Sequence, residues 1–271
     1  MKTLRFLGMA IVAVMLSAFA TSCDDDDDDD NSQPATSEDG VVVNQKKLVK
    51  IVVFYEGSGG DADLDTTILR YDSKGRLIRW ESDDYDPEGA GVVYDYTFVR
   101  TYTWTENTIA YHYNEDGYTG DYTFVISDNL VMEMADGSYP ATYQYDSDKR
   151  IALESVTDGS YTDEYNYSWE DDKLVRHYRA GGSYREFHYS EKTCKGYNPW
   201  IGAYVDDLAV AHPELFGCRT NQLPDYEIHR DEDGDEERRE YSYTFYSDGY
   251  LESVTQTYED GDYYKETYFW E

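Results

Sequence analysis

From Leu48 onward the chain alternates aromatic or aliphatic positions with polar ones at a period of two, the mark of strands that turn one face inward. Between 93 and 105 the even positions hold Tyr94, Tyr96, Phe98, Arg100, Tyr102 and Trp104, while the odd ones hold Asp95, Thr97, Val99, Thr101 and Thr103. Tyr143 with Tyr145, Tyr165 with Tyr167 and Trp169, and Tyr241 with Tyr243 and Phe245 repeat the ladder. Tight polar turns at 73–75, 106–107, 127–129, 147–149, 170–172 and 247–249 are each followed by an apolar residue: Leu77, Ile109, Leu130, Ile151, Leu174 and Leu251. From Ile109 to Leu174 these recur 21, 21 and 23 residues apart, which fits a hairpin of two strands of about seven to nine residues with two turns.

Longer, mostly acidic connections at 56–65, 83–91, 115–120, 136–138, 158–160 and 180–182 alternate with the tight turns. Successive turns of an antiparallel meander fall at opposite ends of the sheet. The pattern therefore predicts a mainly β fold, an antiparallel β-meander curled into an open or closed barrel, with a short rim and a loop rim. Binding is expected at the loop rim. The ladder itself has two readings. The first is a core face, because aromatic rings are more often buried; the second is a platform for stacking sugar rings, with Trp80, Trp104, Trp200, Tyr94 and Tyr96 as candidate ligand-binding residues.

One segment, 198–217, breaks the alternation. Pro199, the apolar spacing of Ile201, Val205 and Leu208, and the brake at Pro213 predict one amphipathic helix of about three turns near 199–212. It is expected along the sheet or through its concave interior, as core filler. If it starts at the loop rim, the acidic loop 231–237 regains that rim only when the insertion crosses from one rim to the other.

The N-terminus adds an address. Lys2 and Arg5 precede a 14-residue apolar stretch, too short to span a bilayer and right for a secretory signal. Ala20-Thr21-Ser22-Cys23 resembles a bacterial lipobox, with Ala20 departing from the usual leucine-like residue. Cleavage after Ala20 would instead leave Cys23 a free thiol; acylation comes first because seven aspartates, Asp24 to Asp30, abut this cysteine. The run resembles the export signal of Bacteroidetes-type lipoproteins, which implies the outer face of the outer membrane, and it also reads as a solvated tether. The expected organisation is a signal peptide at 1–22, a lipidated acidic tether at 23–40 and one domain at 41–271 carrying the insertion 198–217.

Without Lys2 and Arg5 the chain keeps 21 basic residues against 57 acidic ones, a net charge of −36. Such a field repels nucleic acid and anionic headgroups, so the expected partners are the lipid anchor through Cys23 and a glycan or protein ligand. Cys194 and Cys218 bracket the insertion. A disulfide between them would close a loop of about 24 residues and contribute roughly 3.5 kcal/mol; two separate buried thiols are the alternative.

Candidate chemistry is sparse. His112, His177, His188, His212 and His229 lack metal-ligand spacing. Pairing 179 with 183 sets His177 against Arg185 and Arg176 against Glu186, and puts His177 and His188 on opposite faces. The acidic run at 231–235 lacks the spacing of a calcium loop and reads as a solvated turn. No nucleophile elbow, phosphate loop or zinc signature is present, and no cofactor is expected.

RYDSKGRLI (70–78) and QYDSDKRIA (144–152) resemble the YD repeats of Rhs-type shells. Signal, Cys23 with its acid run, and Tyr-rich hairpins of this kind together resemble a family of uncharacterised Bacteroidetes lipoproteins, described as a domain of unknown function with a porin-like fold. That resemblance implies a curled sheet or barrel and supplies no activity. The leading expectation is a surface-exposed, non-enzymatic lipoprotein that binds a ligand, with glycan first. A structural or adhesive module is the alternative, and a carboxylate hydrolase the further one.

Overall fold

The computed structural model describes residues 46–56, 62–85, 96–115 and 117–271. The expected signal segment, Cys23, the tether at 23–40 and Tyr94 lie outside these. In chain order the strands are β1 (Leu48–Glu56), β2 (Ala62–Tyr71), β3 (Leu77–Tyr85), β4 (Tyr96–Trp104), β5 (Thr108–Glu115), β6 (Tyr118–Ser127), β7 (Leu130–Ala135), β8 (Ala141–Tyr145), β9 (Ile151–Asp158), β10 (Tyr161–Glu170), β11 (Lys173–Arg179), β12 (Tyr184–Thr193), β13 (Gln222–Arg230), β14 (Glu236–Phe245), β15 (Leu251–Thr257) and β16 (Tyr263–Trp270). Each pairs antiparallel with its neighbours in sequence, and β1 pairs with β16, so the meander closes into a sixteen-stranded barrel with no free edge.

The two YDS segments fold alike, for a reason visible in their side chains. Asp72 Oδ1 accepts from the amides of Lys74 and Arg76 at 2.9 and 3.0 Å, and its Oδ2 accepts from Arg76 Nε at 2.8 Å. Asp146 does the same for Asp148, Arg150 and the Arg150 Nε, each at 2.9 Å. The aspartate thus replaces backbone partners in the turn, and the arginine ties it down.

At this short rim the ladder slips by a residue where several tight-turn hairpins begin, as between Arg70/Tyr71 and Leu77, or Gln144/Tyr145 and Ile151. An aromatic from a nearby strand supplies a donor to a rim carbonyl. Trp104, Trp169 and Trp270 donate indole N–H to the carbonyls of Leu77, Ile151 and Leu251 at 2.6, 2.7 and 2.7 Å. Tyr71, Tyr189 and Tyr243 serve Leu48, Leu174 and Pro224 at 2.7, 2.8 and 2.6 Å. The spacing of apolar residues after each turn is the spacing of these collars: Leu77, Ile151, Leu174 and Leu251 all have no exposed surface.

The aromatic phase faces the bore. Tyr102, Tyr111, Tyr122, Tyr143, Tyr167, Tyr241 and Tyr268 are buried, with Tyr111 and Tyr122 stacked at 5.0 Å. The other phase is polar and charged, with Arg70, Asp121, Glu133, Glu164, Arg176, Glu186, Arg238 and Glu240 exposed. This is the reverse of a membrane-spanning barrel, whose outer band must be apolar.

A sixteen-strand bore is too wide for side chains from the wall alone to fill. The insertion fills it. Instead of one helix it forms two short ones, α1 (Pro199–Gly202) and α2 (Asp207–Ala211), and a 3₁₀ turn (Pro213–Phe216). Asp206 breaks the helix: it is extended, and its carboxylate caps α2 by accepting from Leu208 N at 2.7 Å. Gly202 lets α2 fold back, because a Cβ there would stand 2.7 Å from the Ala209 carbonyl. Ile201, Leu208, Ala209 and Phe216 have no exposed surface, and Phe216 sits edge-on to Phe124 and Tyr143.

The plug does not cross between rims. β12 ends at the short rim, where Cys194 N donates to Asn221 O at 2.9 Å, so the insertion leaves and re-enters side by side and the 231–235 turn reaches the loop rim through β13 alone. The same register explains the cysteines. Cys194 aligns with Asn221, not with Cys218, and both are free buried thiols facing carbonyls of Asn221 and Pro213 at 3.6 and 3.5 Å.

Candidate functional site

Between the plug and the loop rim lies a cavity of ≈ 450 Å³. Its floor is Trp200, Ala203 and Tyr204 of the insertion; its walls rise from β1, β12 and β14 to β16 towards Tyr55 and Tyr258. Five aromatic side chains, Tyr55, Trp200, Tyr204, Tyr258 and Tyr264, share this lining with Arg185, Arg239, Gln256 and Glu266.

Behind the lining stands Glu227, which has no exposed surface. Its Oε1 accepts from Arg185 Nη1 at 2.8 Å, Gln256 Nε2 at 3.1 Å and Arg239 Nη1 at 3.4 Å, and its Oε2 from the hydroxyls of Tyr241 and Tyr204 at 2.8 and 3.3 Å. A buried carboxylate so surrounded has both oxygens partnered and holds two guanidiniums in fixed positions. Trp200 joins the same network by donating to Tyr241 Oη at 3.3 Å, so floor and wall are one hydrogen-bonded unit. Arg239 is further tied to Glu237 at 2.6 Å and to His229 Nδ1 at 2.8 Å.

Glu266 is the one carboxylate on the lining. It accepts from Tyr264 and Tyr268 hydroxyls at 2.8 and 2.6 Å, and burial raises its pKa against those two hydrogen bonds. His229 and His177 are both pulled down to about 4, by burial first and then by neighbouring arginines, so both are neutral at neutral pH. His177 faces the bore opposite Arg185, stacked on Tyr167 at 4.8 Å, while His188 faces outward on Tyr226 at 4.4 Å.

A second charged cluster lies deeper. Asp206 and Asp207 of the plug face Arg100, which forms an ion pair with Asp207. Burial, with Asp206 nearby, raises Glu154 to about 7; burial also raises Asp206 to about 6, opposed by Arg100.

Of the residues singled out from the sequence, the structure brings Trp200 alone to the cavity. Trp80 is 6% exposed and donates to Ser82 Oγ at 3.1 Å; Trp104 closes the short rim against His212. Tyr96 opens β4, away from the cavity strands. Arg185, Arg239, Gln256, Glu227 and Glu266 were not anticipated, although each carries a signal. Each sits in phase with a buried aromatic of its own or the facing strand: Arg185 with Phe187, Arg239 with Tyr241, Glu266 with Tyr264 and Tyr268. A charge placed in the inward phase marks a site; the acid-rich composition hid it.

No protein-family model matches the chain, and no curated protein matches it in sequence. Solved structures do. The chain superposes on a porin-like protein from Bacteroides uniformis with a TM-score of 0.60 at 13% identity, over 83% of this chain and 96% of that one. The fold is porin-like. A porin-like protein from Bacteroides vulgatus also aligns, over 84% of this chain and 99% of that one, at 12% identity and a TM-score of 0.32.

Proposed function

We propose that this chain is a surface lipoprotein, anchored through Cys23 in the outer membrane, whose barrel is a cup for a glycan ligand and carries out no reaction. The observation that supports a ligand is the cavity above the plug, where aromatic faces and fixed polar groups converge. Rings such as Trp200 and Tyr258 suit the apolar faces of a sugar; Arg185, Gln256 and Glu266 suit its hydroxyls. The plug makes the bore a cup rather than a pore. Family membership with the Bacteroidetes lipoproteins of porin-like fold belongs to this reading.

The hydrolase alternative needs two carboxylates flanking one bond. Among the described residues Glu266 alone lines the cavity, and Glu227 is fully engaged behind it. The adhesive alternative has an observation of its own: Tyr118, Tyr139 and Tyr161 stand 77%, 50% and 78% exposed at three successive loop-rim connections.

A glycan array probed with the mature protein, followed by titration of Tyr258→Ala and Glu266→Gln, separates these readings. Binding that weakens at least several-fold in both variants is expected. Absence of binding across host and plant polysaccharides removes the glycan reading, and binding unchanged in both variants moves the ligand to the exposed tyrosines.

A further inference from the structure

Among the described residues the three most exposed large apolar side chains, Tyr118, Tyr139 and Tyr161, share one sector of the loop rim, on β6, in the turn before β8, and on β10. The cavity is walled by other strands, so these rings are no part of its lining. Two of them close the same sequence, Asp-Gly-Ser-Tyr at 136–139 and 158–161, and Tyr118 follows Gly117 in the preceding turn. The turns require the glycines, Gly117, Gly137 and Gly159, at φ of +83°, +73° and +58°; they do not require the rings. Elsewhere on this rim carboxylates take up the tyrosine hydroxyls: Tyr184 donates to Glu236 at 3.0 Å, Tyr263 to Glu56 at 2.8 Å and Tyr55 to Asp262 at 2.8 Å.

Strand register sets the spacing of the three. Ala141 pairs with Val156, which brings Tyr139 opposite Asp158, and Asp158 pairs with Tyr161. Tyr139 and Tyr161 are therefore level and two strands apart, with their backbones roughly 10 Å from each other. That is the scale on which an extended β-linked sugar chain turns the same ring face outward at every second residue. Tyr118 stands further out: Thr123 pairs with Ala135 and Met134 with Ala141, so Tyr122 is the residue level with Tyr139, and Tyr118 lies ~13 Å beyond it along β6. All three are in the inward phase of their strands, the phase of the buried Tyr122, Tyr143 and Tyr167, and so carry the bore ladder up to the mouth. Asp207, outside the cavity lining, keeps 37% of its side chain exposed beside Arg100, so water reaches the plug on the β4 side too.

Charge selects among sugars. Asp136, Asp158 and Glu164 are exposed in this sector, and Arg179, at the same end of β11, is paired with Asp163 and Glu232 at 2.8 and 2.6 Å. Carboxylates accept from sugar hydroxyls and repel uronates and sulfates.

We infer that Tyr118, Tyr139 and Tyr161 form an outer subsite of the mouth, and that the ligand is an extended, uncharged, β-linked polysaccharide with one stretch in the cavity and the next stacked on these rings. This outer subsite rests on the glycan reading above and adds the form of that glycan.

The test is electrophoresis of the mature protein through native gels cast with hydroxyethylcellulose, glucomannan or arabinoxylan, and with alginate as an acidic control. At least one neutral polymer should retard the native chain, and alginate should not. The matching soluble hexasaccharide should compete at least about tenfold better than the disaccharide, from the added ring contacts. Replacing all three rings (Tyr118→Ser, Tyr139→Ser and Tyr161→Ser together) should abolish that difference and leave disaccharide competition and the thermal melt as they were, since side chains this exposed carry little of the fold. Native-like retardation of the triple variant, equal competition by both lengths, or retardation by alginate overturns the outer subsite while leaving a glycan in the cavity untouched. Absence of retardation by every polymer also overturns it and assigns the tyrosines to a protein partner; short sugars on the glycan array then judge the cavity separately.

Discussion

Arg185 Nη1 stands 2.8 Å from Glu227 Oε1, and the carboxylate it meets has no exposed surface. Removing that negative charge leaves Arg185 and Arg239 facing each other across a low-dielectric wall. Glu227→Gln should lower stability by about 3 kcal/mol, the scale of breaking a buried pair from one side. Urea unfolding followed by tryptophan fluorescence measures it; a loss under about 0.5 kcal/mol would show that the guanidiniums relax into the cavity.

The rim collars make a second prediction. Trp104→Phe keeps an aromatic ring at the rim but loses the pyrrole ring and with it the N–H that serves the Leu77 carbonyl. An unsatisfied buried carbonyl should cost about 1–3 kcal/mol. The same change at an exposed tryptophan would cost almost nothing, so thermal melts of the Trp104, Trp169 and Trp270 variants should shift alike.

Gly217 holds the plug against the wall. Its φ is +59°, and a Cβ would lie 1.9 Å from the Lys149 carbonyl oxygen. Gly217→Ala should destabilise by about 3 kcal/mol, from left-handed strain and overpacking together. Limited proteolysis should then cut within 195–221 before the barrel strands, since the plug would detach first.

Acidity acts on the bore through Glu154. Its folded value of about 7 lies above that of the unfolded chain, so its contribution is full below about pH 4 and is lost as pH rises through about 7. Asp206, raised to about 6, acts in the same direction. Asp72 opposes them: backbone and side-chain hydrogen bonds from Arg76 lower it to about 2, so its contribution is present above about pH 4 and is lost towards pH 2. Glu154→Gln should match the native chain at about pH 4 and exceed it at about pH 8 by up to ~3 kcal/mol, as denaturant midpoints at the two values would show.

Much of the barrel is legible residue by residue. The even positions from Phe98 to Trp104 face the bore as their alternation predicts, and pairing 179 with 183 gives the observed register of His177 with Arg185. The turn alternation assigns the turns to the correct rims, but not by length: the loop-rim turns between β5 and β6 and between β9 and β10 are only two residues long, shorter than the short-rim turns at 72–76 and 146–150. Other features depend on contacts between segments far apart in sequence. Asp206 reads as a polar residue within a helix until Leu208 needs its cap and α2 needs room over Gly202. Cys194 and Cys218 look like partners until the ladder aligns Cys194 with Asn221. The cavity draws Tyr55 and Glu266 from opposite ends of the chain, joined only when β1 meets β16.

That last seam governs when the protein can exist as a folded object. Lys47 and Glu271 exchange backbone hydrogen bonds at 2.6 and 2.9 Å, across nearly the whole described chain. Contacts of such sequence separation form late and slowly. Until β16 is in place, β1 and β15 present open edges able to pair with other chains, and the wall of the cavity is missing Glu266. A copy interrupted before its last strand is therefore an aggregation hazard as well as an empty vessel.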